Sequence, residues 1–101
     1  MKHHLKAFIY DKKGRILSIG ENSYTKSHPK MAEYARKSGT PYKILLHAEM
    51  SAILRCPDLS KAHRIHVHRE GKRGSPLNAR PCPICMSAIQ AANIKHVTWS
   101  E

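Results

Sequence analysis

Two short stretches hold the residues best suited to chemistry, His47-Ala48-Glu49 and Pro81-Cys82-Pro83-Ile84-Cys85. One imidazole and two thiolates make three corners of a tetrahedral zinc site, and a site with three protein ligands leaves the fourth corner to water. Glu49, two residues past the histidine, is a carboxylate that could handle the protons of that water. Each half alone is weakly specific: His-Ala-Glu is a common helical tripeptide, and C-x-x-C is shared by redox pairs and zinc knuckles. Their joint occurrence, with proline on both sides of the first cysteine, points to an open zinc site with His47, Cys82 and Cys85 as ligands.

A closed structural zinc site is the competing reading, with Cys56, His63 or His28 as fourth ligand. Cys56 is placed more than two helical turns from His47, roughly 13 Å at 1.5 Å per residue, which argues against it. A fourth ligand would also leave Glu49 without a task. His66 and His68 form an H-x-H that could be a second metal position or a pair of packing or interface residues.

The elements that must position these groups follow from local pattern. Leu5 to Tyr10 and Arg15 to Ile19 read as two strands joined by Asp11-Lys12-Lys13-Gly14, a hairpin signal. Gly20 to Pro29 is polar and rich in turn formers and reads as a loop. Pro29 suits the first position of a short helix over Lys30 to Lys37, stopped by Ser38-Gly39. Ile44, Leu45 and Leu46 lead into a helix that runs to about Arg55 and ends at Pro57, with His47 and Glu49 in its first turn. Arg64 to Arg69 alternates as a third strand, and Glu70 to Arg80 reads as a loop. Ile84 to Ala92 has helical core spacing, Asn93 sits where a C-cap is needed, and Ile94 to Trp99 makes a fourth strand.

This order describes a single α/β domain over residues 1–101, with a sheet of four or more strands and helices covering it. The two helix starts bearing the ligands would meet at the ends of adjacent strands, the usual crevice for ligands in open α/β sheets. A sheet covered on both faces is apolar on both, so His66 and His68 hint at a face that is partly open or meets another subunit, and a homo-oligomer is expected.

No stretch approaches the ~20 apolar residues of a membrane span, so no membrane partner is expected, and nothing at the N-terminus resembles a signal peptide. The expected compartment is the cytoplasm. An odd cysteine count favours metal or redox chemistry over a disulfide framework. The net charge of +11 favours an anionic partner, nucleic acid or a nucleotide phosphate. The basic residues are spread along the chain, an arrangement equally suited to a solvated surface.

H-x-E followed by P-C-x-x-C is the signature of zinc-dependent base deaminases, and here the sequence resembles the cytidine and deoxycytidylate deaminase superfamily. The matching segments are Gly20-Glu21-Asn22, His47-Ala48-Glu49 and Pro81-Cys82-Pro83-Ile84-Cys85, together with the order of strands and helices from Leu5 onward. It is most similar to the histidine-first branch of deoxycytidylate deaminases, tRNA adenosine deaminases and small phage-encoded relatives. The resemblance implies a compact three-layer fold, Zn²⁺ held by His47, Cys82 and Cys85, and Glu49 as the catalytic proton shuttle. It further implies that Asn22 hydrogen-bonds the sugar and that the Ala48 backbone N–H contacts the base.

Relatives of this kind usually add a helix before the hairpin and a further strand or helix after the fourth strand, and neither is read here. Instead Ser23 to Leu46 forms a long insertion that is expected to pack on the sheet or rim the pocket. Its Thr25, Lys26, Ser27, His28 and Lys30 are candidates for phosphate contact or a solvated loop. Two substrates fit: a free pyrimidine nucleotide or nucleoside, and a base in single-stranded DNA or RNA. The charge favours the second. The few stacking candidates, Tyr24, Tyr42 and Trp99, favour the first, with cytosine preferred over adenine. A third reading is a zinc-stabilised module that holds nucleic acid without catalysis.

Overall fold

The computed structural model describes residues 4–23, 28–37, 39, 47–70, 76–77 and 81–100. Strands β1 (His4–Tyr10) and β2 (Ile16–Glu21) form the expected hairpin. Asp11 builds its turn: Oδ1 accepts the N–H groups of Lys13 and Arg15, both at 2.9 Å, while Gly14 takes the left-handed φ of +84° that the turn requires.

Helix α1 (Pro29–Lys37) begins at the expected proline, and Gly39 follows with φ +75°. Helix α2 (Ala48–Arg55) has His47 as its N-cap, one position outside the first turn, and ends at Cys56. The lead-in at residues 44–46 lies outside the described residues. Strand β3 (Arg64–Glu70) follows, then the two-residue β4 (Pro76–Leu77), α3 (Pro83–Ala91) and β5 (His96–Trp99). Asn93 leaves α3 with φ +61°, and the Ile94 N–H returns to the Ile89 carbonyl, closing the helix end.

The sheet is mixed. Its order is β2-β1-β3, all antiparallel. On its far edge β3 pairs in parallel with β5 over Arg64 to Val67, and antiparallel with β4 at Arg69 and Glu70. The parallel pair is possible because α3 provides the crossover between the two strands. β4 falls in the stretch expected to be a loop, and β5 starts two residues later than its apolar pattern suggested.

Inward-facing Ala7, Ile9, Ile65 and Val67 pack with Ala48 and Ala52 of α2 and Ile89 of α3. On the side of these helices away from that cluster, Met31 of α1 meets Met50, Ile84 and Ala88. The layers are therefore the sheet, then the α2–α3 pair, then α1, and the α/β class matches expectation. Part of the insertion ahead of His47 thus packs on the two helices rather than on the sheet.

Strand register places Lys6, Phe8, Tyr10, Ile16, Ile19, Arg64, His66, His68, His96 and Thr98 on the outward face. Ile16 and Ile19 are 53% and 42% exposed, and no described helix covers this face. The two histidines lie on this face. His66 Nδ1 lies 2.7 Å from Thr98 Oγ1, the His66 and His68 rings stack at 6.5 Å, and partial burial lowers the His66 pKa.

Candidate metal centre

His47 and Cys82 are both helix N-caps, with extended backbones at ψ 157° and 167°. That conformation turns each side chain across its helix start. It leaves each carbonyl to accept the first intrahelical bond, from Ser51 and Met86, both at 2.9 Å. Pro83 opens α3 where no N–H is needed, and Cys85 sits one turn in from the cap, so both sulfurs share one end of the helix.

The three donors converge. His47 Nδ1 is 3.1 Å from Cys85 Sγ and 3.5 Å from Cys82 Sγ, and all three ligand atoms lie within 4.8 Å of one another. Tetrahedral bonds of ~2.0–2.3 Å to zinc put neighbouring donors ~3.6–3.8 Å apart, so the set fits a zinc ion by donor type and spacing. Among the described residues no other metal-binding group of three is found. Cys56 caps the far end of α2, the His63 ring lies tilted against His96 at 4.7 Å, and His28 Nδ1 accepts the Lys30 N–H. None of these three supplies a fourth ligand.

The electrostatics suit a cation. The Cys82 thiol is brought down to about 4, chiefly by its hydrogen bond with Cys85 and with help from His47. Its partner Cys85 is pushed up by that same bond and by burial. Glu49 is 4% exposed. Burial raises its carboxyl above the ordinary range, against the lowering pull of the backbone N–H at the helix start and of Cys85.

Strand β2 fixes the height of α2. Ser18 Oγ donates to the Ala52 carbonyl at 2.8 Å, and a Cβ on Gly20 would collide with the Ala48 carbonyl oxygen and the Ala52 N. The strand therefore runs antiparallel to the helix, and Gly20 lies level with Ala48. Asn22, two residues further and on the same side as Gly20, continues toward the ligand end, ~7 Å beyond Gly20 at the rise of an extended strand. Its Oδ1 accepts the Leu5 N–H at 3.0 Å and its own N–H returns to the Leu5 carbonyl, which anchors it to β1.

Ala48, buried at 1% exposure, presents a first-turn N–H beside the ligands. Thr25 and Lys26 lie outside the described residues. Positioning roles for Ser18 and Gly20 were not read from sequence, though a small residue on β2 facing Ala48 and Ala52, four apart on one helix face, was a signal available there.

No curated protein matches the chain. The family described as the cytidine and deoxycytidylate deaminase zinc-binding region matches residues 1–101, the full length that carries the His47, Cys82 and Cys85 cluster, and the chain belongs to that family of zinc-binding deaminases.

Proposed function

We propose that the chain deaminates a cytosine-type base to uracil on a free cytidine or deoxycytidine nucleotide or nucleoside, with release of ammonia. The observation that carries this reading is a buried carboxylate, Glu49, beside a three-donor metal cluster. His47, Cys82 and Cys85 hold the zinc, which when bound supplies a water acidified toward a pKa of ~7.

Glu49 does the proton work. Its carboxylate takes a proton from the attacking water and passes it to the ring nitrogen as the C–O bond forms at C4. It then delivers the second proton to the exocyclic amine as the C–N bond breaks. Ammonia leaves and the carbonyl stays. The Ala48 N–H, at the positive end of α2, suits an acceptor on the base, and Asn22 suits the sugar from its place at the end of β2. Thr25, Lys26 and His28 suit a phosphate.

A free substrate at the Glu49 site is supported by Trp99, the described one of the three stacking candidates Tyr24, Tyr42 and Trp99. Trp99 is half-buried and packs on the core cluster. Single-stranded DNA or RNA is the second substrate reading, and the +11 charge favours it. Ammonia release is to be measured in parallel on deoxycytidylate, cytidine and a cytosine-containing oligonucleotide. Turnover of either small substrate supports the proposal. Turnover of the oligonucleotide alone replaces it with the second reading, and a zinc-loaded protein inactive on all three is a binding module.

A further inference from the structure

A cavity of about 670 Å³ lies between the β1–β2 turn, the single 3₁₀ turn Leu59–Lys61 and the end of α3. It is remote from the ligand cluster, because Cys82 caps one end of α3 and Ala91, Ala92 and Asn93 line the cavity at the other. The nine residues of that helix set the two apart by ~13 Å at 1.5 Å per residue.

Its walls are strongly basic. Lys12, Lys13, Arg15, Lys61 and Lys95 line it with a single carboxylate, Asp11. Asp11 is already satisfied: Arg15 Nε donates to its Oδ2 at 2.8 Å, and two backbone N–H groups hold Oδ1. The lysines come from separate elements, and no ion pair is found for Lys12, Lys13, Lys61 or Lys95 among the described residues. Gathering like charges around one cavity is unfavourable unless an anion joins them.

Rings continue the basic strip along one rim. His63 lines the cavity and its ring meets that of His96 at a tilt of 58°, and next to them Arg64 lies over the Tyr10 ring, 4.4 Å from its centroid. Cations spread over three elements, bordered by the exposed His96 ring and the half-buried His63 and Tyr10 rings, match a chain of phosphates with bases attached better than they match one compact anion.

We propose that this cavity binds the backbone of single-stranded nucleic acid, with the phosphates on Lys12, Lys13, Lys61 and Lys95 and the bases against the His63–His96 and Tyr10–Arg64 rim. The site adds attachment rather than chemistry and does not rest on the substrate assigned to Glu49.

The test uses the zinc-loaded chain and a fluorescent 20-nucleotide oligothymidylate, which has no exocyclic amine and so cannot be a deaminase substrate. Anisotropy is expected to show binding whose log affinity falls with log salt by about 0.7 per phosphate engaged. Lys61→Glu/Lys95→Glu is expected to weaken binding at least tenfold and to flatten that slope by about 1.4, the share of two phosphates. Arg36→Glu/Lys37→Glu, which makes the same change in net charge on α1, away from the cavity, is expected to stay within threefold of the wild type.

Equal losses in the two variants would reduce the effect to net charge and overturn the site. So would wild-type affinity in Lys61→Glu/Lys95→Glu. Displacement of the oligonucleotide by thymidine triphosphate at equal phosphate concentration would overturn the polynucleotide in favour of a compact anion. Deamination of deoxycytidylate, read separately, tests the Glu49 and zinc site and not this cavity.

Discussion

The Nδ1 of His47 lies 3.1 Å from the Sγ of Cys85, although 38 residues separate them in the chain. That proximity makes the metal part of the fold, since it ties the start of α2 to the start of α3. Wild-type protein should carry about one zinc per chain, the stoichiometry of a single three-ligand site. Cys85→Ser should carry almost none, by elemental analysis. Zinc present at a thousandfold above its dissociation constant adds ~4 kcal/mol. At ~4–8 °C per kcal/mol for a chain of this size, chelation should lower the melting temperature by at least ~15 °C. Unchanged zinc content in the variant would remove Cys85 from the ligand set.

Glu49→Gln separates the proton shuttle from the metal site. Loss of a positioned acid–base group costs ~10²–10⁴-fold in rate, so ammonia release should fall by that factor while zinc content stays the same. Stability should not fall with it. With zinc removed from both proteins, a carboxyl whose pKa is raised by burial opposes folding above its ordinary value of 4.5, so the neutral amide should then melt at the wild-type temperature or higher. Retained turnover would assign the proton transfers elsewhere.

The candidate ligands were legible from sequence because a metal demands fixed residue types. His47, Cys82 and Cys85 announce themselves by identity and spacing, and the cluster confirms their convergence. The helices followed from their punctuation, Pro29 and Asn93 above all. β4 escaped because two residues following Gly74-Ser75 carry no period that could be read. The one-sided covering of the sheet was only hinted at, by His66 and His68, because a strand's alternation does not say what lies above each face. The basic cavity was invisible in principle: its cations are dispersed from Lys12 to Lys95, and only the chain's return path brings them together.

Gly20 sets how closely α2 approaches the sheet. A methyl group there would overlap the Ala48 carbonyl and the Ala52 N, backbone atoms that no rotamer change can move. Overpacking of this kind costs ~1–3 kcal/mol or more, so Gly20→Ala should lower the melting temperature by roughly 10 °C. Because the displaced turn carries Glu49 and follows directly on His47, zinc affinity should fall as well. Wild-type zinc affinity in a folded Gly20→Ala protein would show that the ligand end of α2 moves independently of β2.

Asp11 gives a stability handle far from the metal. The backbone N–H of Arg15 is the largest influence holding its carboxyl below the ordinary 3.8, with the Arg15 side chain and the Lys13 N–H adding to it against partial burial. A group whose pKa is lowered by folding stabilises the fold above its unfolded value, and that contribution is lost as pH falls through the lowered one. Asp11→Asn should therefore melt below the wild type at pH 6 and above. The gap should narrow once pH drops under 3.8 and close as Asp11 becomes protonated in the folded protein. A gap that is constant from pH 7 to pH 2.5 would mean that the turn is held by the shape of the side chain and not by its charge.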